Sequence, residues 1–302
     1  MDVGVIGVGA MGRNHARVYS ELRPVSGLFV YDVNHESAQS VAHQVGATAC
    51  RTFEEMLGQV EAVSICVPTQ YHLEVAKQVL RKSIHILMEK PICASRSEAD
   101  ILLPLIGDGI TFGVGHIERF NPIVSEIERI SRDPLYVEMN RHNPASQRVT
   151  GASVVEDLMI HDIDILRHVL FDDRYSLSTA GTQDVASVLF RFGHTAAYLS
   201  ASRKSSKKIR RIYIEEDALT IEGDFMNQEI FTYWKPETYQ VENERYVQEN
   251  IIEKVMVNKV EPLKVELKTF LDCVKDGQQF PVTAVQGYEN LAICEQIRAG
   301  LT

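Results

Sequence analysis

A short apolar run, Val3-Gly4-Val5-Ile6, leads directly into Gly7-Val8-Gly9-Ala10-Met11-Gly12, and the helical pattern Arg13 to Leu22 follows. No other stretch of the chain narrows the possible folds as far. In a Gly-x-Gly-x-x-Gly turn between strand and helix, Gly7 permits the tight turn and Gly9 lets the backbone approach a pyrophosphate. Gly12 lets helix and strand pack closely, and Val8, Ala10 and Met11 supply the intervening backbone, so that the helix N-terminus faces the phosphates. Ser26 to Tyr31 reads as a second strand, and Asp32 stands at its end, twenty positions beyond Gly12. A carboxylate there accepts hydrogen bonds from both ribose hydroxyls and repels a 2′-phosphate. The expected cofactor is therefore NAD rather than NADP, with Arg13 as the residue that would soften the preference by pairing with a phosphate. The alternative is an ordinary glycine-rich turn in an unrelated α/β fold.

Further strand-length apolar runs at Ala62 to Val67, Ile84 to Met88 and Ile110 to Val114 alternate with helical patterns. That alternation implies a parallel sheet with right-handed crossovers. Thr52 with Glu55 and Ser95 with Glu98 have the spacing of capping boxes and mark two helix starts. Past Asn121-Pro122 the pattern changes to a helix from Ile123 to Ile130, a strand around Leu135 to Met139, a polar loop through Pro144 to Gly151 and a helix from Ser153 to Leu170. Strand-like runs follow at Ser187 to Phe192, Thr195 to Ser200, Arg210 to Ile214, Ala218 to Glu222 and Glu229 to Trp234, and they read as antiparallel. Turns are expected at Phe192-Gly193-His194 and Glu222-Gly223-Asp224, and helical spacing returns at Pro262 to Val274 and Ala284 to Ala299. The expected fold is α/β: a doubly wound Rossmann domain over residues 1–118, then an α+β domain over residues 119–302 with a large, mostly antiparallel sheet. Such a sheet, covered by helices on one face, needs cover on the other, which points to a homodimer or homotetramer.

Composition removes several function classes. The chain has 302 residues, 45% hydrophobic, yet no apolar stretch approaches ~20 residues, so a membrane span is not expected. With the first strand beginning at residue 3, no leader is expected and the location is read as cytoplasmic. Cys50, Cys66, Cys93, Cys273 and Cys294 lie scattered without a Cys-x-x-Cys pair and read as reduced thiols rather than as a disulfide frame or a zinc site. A net charge of −10 argues against nucleic-acid binding. One local exception is the cluster Arg203, Lys204, Lys207, Lys208, Arg210 and Arg211, which reads either as a solvated loop and strand edge or as a polyphosphate contact, within one chain or across a subunit interface.

Three segments carry candidate chemistry. Val67-Pro68-Thr69 closes a strand at the end of the sheet where ligands bind, and His72 follows near a helix entry, as a cap or a cofactor contact. Glu89-Lys90-Pro91 follows the next strand, so Lys90 stands at the same crevice; among cationic or apolar groups it becomes a proton acceptor, and in solvent it is a surface lysine. In the second domain, Asp157, His161, Asp164 and His168 have the spacing of one helical face, flanked by Leu158, Ile160, Ile163, Ile165 and Leu166. A histidine oriented by a carboxylate one turn away is a general acid or base. Metal ligation and a purely structural polar helix are the alternatives, and no metal is expected.

Taken together, the Gly7 turn with Asp32, Val67-Pro68-Thr69 with His72, Glu89-Lys90-Pro91 and Asp157-x-x-x-His161-x-x-Asp164 resemble the Gfo/Idh/MocA oxidoreductase family. The resemblance covers nearly the whole chain, including a closing segment from Phe270-Leu271-Asp272 through Pro281-Val282. Within the family, Gly113 to Pro122 is similar to the bacterial and archaeal UDP-N-acetylglucosamine 3-dehydrogenases. The resemblance implies NAD-dependent oxidation of a secondary sugar hydroxyl, C3 of UDP-N-acetylglucosamine or another sugar or inositol. Lys90, His161 and Asp157 would surround the reacting carbon, with Glu89 near the nicotinamide ribose. Met159 stands where a glycine is common in the family. For a nucleotide-sugar diphosphate, Arg119, Arg141 and Arg148 are candidates, and Asn121 and Asp164 are further substrate candidates. A redox-assisted glycoside hydrolase and a non-catalytic NAD and sugar sensor remain the other readings.

Overall fold

The computed structural model describes residues 1–144, 152–235, 239–242, 245–248 and 251–301. The chain divides into two compact units: residues 1–120 with 261–292, and residues 121–260 with 293–302.

In the first unit, β1 (Asp2–Ile6), α1 (Ala10–Glu21), β2 (Gly27–Tyr31), α2 (His35–Val45), β3 (Thr48–Ala49), α3 (Phe53–Leu57), β4 (Ala62–Ile65), α4 (His72–Leu80), β5 (His85–Glu89), α5 (Arg96–Leu102) and β6 (Phe112–Gly115) alternate along the chain. All strand pairs are parallel and the order is β3-β2-β1-β4-β5-β6, so the winding reverses between β1 and β4. That reversal opens a crevice at the carboxyl ends of the strands. The strands read as continuous apolar runs because helices cover both faces; Val3, Val5, Val30, Val63, Ile65, Ile86 and Val114 are all buried. Local signals start the helices as expected. Thr52 and Glu55 form a complete capping box on α3, and the Ser95 side chain accepts from Glu98 N at the start of α5. The two-residue β3 is too short to leave a periodic signal in sequence.

The second unit contains α6 (Pro122–Ile130), β7 (Tyr136–His142), a helical stretch whose regular part is α7 (Ile160–Ile165), and then β8 (Tyr175–Gly181), β9 (Val185–Phe192), β10 (Thr195–Ser202), β11 (Ile209–Glu215), β12 (Leu219–Asp224), β13 (Glu229–Trp234), β14 (Tyr239–Glu242), β15 (Arg245–Gln248) and β16 (Ile251–Val255). The large sheet runs β16-β13-β12-β11-β7-β10-β9-β8, while β14 and β15 pair with each other. It is not a plain meander. β7, the first strand of the unit, lies between β11 and β10 and is parallel to β10; the other neighbours are antiparallel. The turn at Gly193 is present, with φ +56°. Gly223, by contrast, sits inside β12, paired with Ile212 and Ile230, and the chain turns after Asp224. A Cβ on Gly223 would stand 2.7 Å from Ile212 Cγ2, so this glycine serves a close approach within the sheet rather than a turn.

Two helices close the chain, α8 (Pro262–Asp276) and α9 (Ala284–Ala299). A single cut at residue 118 would assign both to the second domain, but the side chains divide them otherwise. Leu263, Leu267, Phe270, Leu271 and Phe280 belong to the first core, as does Leu291, whereas Ile293, Cys294 and Ile297 belong to the second. Burying each such side chain contributes ~1.5–3 kcal/mol, which draws the tail back to the apolar surface that accommodates it. Among the described residues, no helix is long and apolar enough to cross a membrane.

Candidate active site

The glycine turn is built from main chain. Gly7 has φ +85°, and its N–H donates to Tyr31 O at 2.8 Å, joining the end of β1 to β2. A Cβ on Gly12 would stand 1.8 Å from Gly7 O, so only glycine fits there. A Cβ on Gly9 would meet nothing within 4 Å, and no side chain caps α1 at Gly9. The first-turn N–H groups of Ala10, Met11 and Gly12 thus present an uncapped, positively polarised helix start of the kind that holds a pyrophosphate. Asp32 fastens this loop to β2: Oδ2 accepts from Val8 N at 2.8 Å and Oδ1 from Asn34 N at 2.9 Å. Each oxygen retains a further lone pair for a ribose hydroxyl. Arg13 donates from Nε to Val8 O at 3.1 Å, which ties part of its guanidinium to the loop. These features fit a dinucleotide.

At the ends of β4 and β5 the side chains are more tightly bound together than the spacing suggests. His72, the first residue of α4, is buried, with Nδ1 2.9 Å from Pro91 O and Nε2 3.0 Å from Val67 O. Burial lowers its pKa against the pull of the two carbonyls, which favours the neutral ring donating to one of them. This histidine clamps the Val67-Pro68-Thr69 segment to the turn after Lys90. Glu89, at the end of β5, accepts from His15 Nε2 at 2.9 Å, and the His15 side chain is fully buried. Burial pushes the Glu89 carboxyl up, but the hydrogen bond and charge of His15, with Lys90 and His72 beyond, outweigh it and hold the group below the usual carboxylate range. Glu89 is accordingly a carboxylate beside Lys90. Cys66 lies close enough that its Sγ and the His15 and Glu89 donor atoms fall within 4.8 Å of one another. Burial and the charges of Glu89 and Glu266 drive the thiol well above its ordinary value, so it stays protonated.

In the second unit, the helix carrying Asp157 and His161 departs from regular α geometry. Val155–Met159 and Leu166–Leu170 form wider π turns on either side of α7. Along this helix Asp157, His161 and His168 are half-buried, whereas Asp164 is 1% exposed. The neighbouring Asp162 accepts from Arg141 Nε and Nη2 at 2.9 and 2.6 Å, and Arg141 also lies 5.4 Å over the ring of Phe225. With both partners buried, Arg141 is committed to Asp162 and does not serve a substrate diphosphate. At the helix entry, Glu156 accepts from Ser153 N at 3.0 Å and from Arg298 Nη1 at 2.7 Å.

Residues 1–108 match the family described as "Oxidoreductase family, NAD-binding Rossmann fold", Gfo/Idh/MocA. A UDP-N-acetylglucosamine 3-dehydrogenase from Acidithiobacillus ferrooxidans is 29% identical over an alignment spanning 100% of this chain and 97% of its own. Its solved structure superposes with a TM-score of 0.89 over the same shares of the two chains. Over residues 1–108 the chain thus resembles the Gfo/Idh/MocA oxidoreductases. An inositol 2-dehydrogenase from Rhizobium meliloti is 23% identical, covering 97% of this chain and 94% of the relative. A levoglucosan dehydrogenase solved with NADH and levoglucosan shares the fold at 17% identity, with a TM-score of 0.84 over 99% of this chain and 96% of its own.

The matched segment is an NAD-binding Rossmann fold, and the geometry of Gly7 to Gly12 with Asp32 fits such a dinucleotide. The structure alters the expected roles of several other residues. Asn121 is buried, its Oδ1 accepting from Ile123 N at the start of α6 and its Nδ2 donating to Phe225 O, so its bonds belong to the fold rather than to a substrate. Arg119 is half-buried on the short turn after β6, and Arg148 lies outside the described residues. Sequence reasoning missed His15, because the partner that gives it meaning, Glu89, is 74 positions away. Its one available signal was a histidine on the otherwise apolar face of α1.

Proposed function

We propose that this oxidoreductase oxidises the C3 hydroxyl of the N-acetylglucosamine moiety of UDP-N-acetylglucosamine. The observation that supports it best is the full-length likeness, in sequence and in structure, to an enzyme of that name. NAD, held by the first unit, would supply the hydride acceptor for C3. The chain's own residues manage the proton and the charge. His161 takes the hydroxyl proton, with Asp157 orienting its ring, and Lys90 donates a hydrogen bond to the oxygen as the carbonyl forms. Glu89, ionised and fixed by His15, keeps a negative charge beside the Lys90 ammonium. The ketone and a released proton complete the balance. The reading includes self-association as a homodimer or homotetramer through the large sheet, where Val185 and Leu189 of β9, the strand next to the β8 edge, are exposed.

The test is a panel of UDP-N-acetylglucosamine, glucose 6-phosphate and myo-inositol, followed by the absorbance of reduced nicotinamide. UDP-N-acetylglucosamine is expected to give the highest kcat/KM. Reduction by myo-inositol alone would reject the substrate and leave a polyol dehydrogenase. Sugar consumed without net NADH would point instead to redox-assisted hydrolysis.

A further inference from the structure

The reaction above leaves the basic run between β10 and β11 without a use. We propose that Arg203 and Lys208, with Asn143, form a phosphoryl subsite that takes the diphosphate of a nucleotide-sugar substrate. The inference rests on the proposed function and adds the place where the nucleotide end is held.

A cavity of about 230 Å³ is lined by Asn143, Pro144, Asp157, Leu158, Arg203 and Lys208. The topology explains why these six meet. Because β7 and β10 run parallel, their carboxyl ends lie side by side, with His142 paired to Ser202 and Asn143 N donating to Ser202 O at 2.8 Å. The turn from β10 into β11 then passes that edge, and Ser205 Oγ shapes it by accepting from Lys207 N and donating to Lys207 O. Asp157 and Leu158 come from the first turns of the helix that carries His161. The cavity therefore adjoins the segment assigned to the chemistry and belongs wholly to the second unit.

Three features of the lining suit a phosphoryl ligand. Arg203 is held in place: Nη1 donates to Ala152 O at 2.8 Å, and Nη2 donates to Gln183 O at 3.0 Å and Asp184 Oδ1 at 2.9 Å. A fixed guanidinium keeps its charge at the wall at little entropic cost. Arg203 and Lys204 pair with Asp184, and Lys208 shares the cavity wall with Asp157, so with Lys207 these groups leave a local balance of two positive charges in a chain whose net charge is −10. A nucleoside diphosphate ester carries about two negative charges at neutral pH, which this balance neutralises. The third feature is Asn143 Oδ1, which is buried without a hydrogen-bond partner among the described residues. A buried acceptor of that kind needs a donor, and a ribose or sugar hydroxyl next to the phosphates supplies one. A polyol without phosphoryl groups gains nothing from the two cations, so the same residues separate phosphorylated from plain substrates.

The test uses the full-length enzyme and the exposed position 208, where substitution spares the core. Calorimetric binding of UDP, inorganic pyrophosphate and glucose 6-phosphate is compared for the wild type, Lys208→Glu and Lys208→Arg. Lys208→Glu is expected to weaken UDP and pyrophosphate at least tenfold and to raise KM for UDP-N-acetylglucosamine in parallel, while KM for NAD changes less than twofold. Lys208→Arg should restore most of the loss, and added salt should weaken UDP binding to the wild type. Unchanged UDP affinity in Lys208→Glu would overturn the subsite, and so would a Lys208 dependence confined to glucose 6-phosphate. Should the wild type bind UDP through Lys208 yet fail to oxidise UDP-N-acetylglucosamine, the subsite stands and the proposed substrate falls.

Discussion

The cofactor cradle of the first unit and the polar helix of the second hold their functional groups by different physical means. Around Gly7 to Gly12 the main chain does the positioning: a left-handed glycine, a helix start without a side-chain cap, and a carboxylate that takes two backbone N–H groups. Around Asp157 and His161 the positions depend on side chains from distant segments, with Arg141 on Asp162 and Arg298 on Glu156. Main-chain geometry tolerates most side-chain change and fails where a Cβ collides. A side-chain lattice fails wherever one partner is removed, because the other is left buried with its charge.

The largest effect expected concerns catalysis itself. Lys90→Ala and His161→Ala should each lower kcat by about 10²–10⁴-fold, while the NAD dissociation constant, measured by fluorescence titration, moves less than about threefold. Substantial activity in either variant would show that one unit alone manages the proton and would remove the division of labour drawn above.

Next in size is the second unit's dependence on its side-chain pair. Asp162→Ala should cost about 3–5 kcal/mol, read as a lower Tm and denaturant midpoint, because it strands the Arg141 guanidinium. Replacing both partners with apolar residues, Arg141→Met with Asp162→Leu, should recover most of that loss. A harmless Asp162→Ala would mean that the helix is held by its apolar face alone.

The smallest effect sharpens the contrast from the first unit, where His15 and Glu89 are a side-chain pair set within a main-chain frame. Glu89 titrates below the ordinary carboxylate range in the folded protein, so its contribution is complete above about pH 4.5 and is lost as the pH falls through the folded value. His15→Ala removes the hydrogen bond and leaves burial opposed by Lys90 and His72, which raises the carboxyl. The stability gap between wild type and variant should then widen as pH rises from 4 to 6, by about 1 kcal/mol, in denaturation curves taken across that range. A gap independent of pH would show that the pair does not govern the carboxylate.

These differences explain what could be read from the residues alone. The cradle was legible because its parts lie within 26 consecutive positions, from Gly7 to Asp32, and each glycine has a local reason. The capping box at Thr52 was legible because it closes over three residues. Arg141 pointed to a diphosphate only while Asp162, 21 positions on, was not known to be its partner. The scaffold bonds of Asn121 and His72 were hidden for the same reason: Phe225 O lies 104 positions from the first and Pro91 O 19 from the second. Gly223 shows the converse error, a turn residue by type that serves a close approach by place, under Ile212 on the neighbouring strand. The stripe from Asp157 to His168 assumed an even helical period, which the π turns interrupt.

By itself the sequence determined the alternation of the longer strands with helices in the first unit and the glycine turn with its acidic partner Asp32. Those follow from periodicity and steric rules acting over a few residues. Only the tertiary structure decided that β7 lies between β10 and β11, that α8 packs into the first core, and that Glu89 is governed by His15. Each of these depends on pairing between segments far apart along the chain, where the free energy of burial and of satisfying polar groups, rather than any local preference, selects the partner.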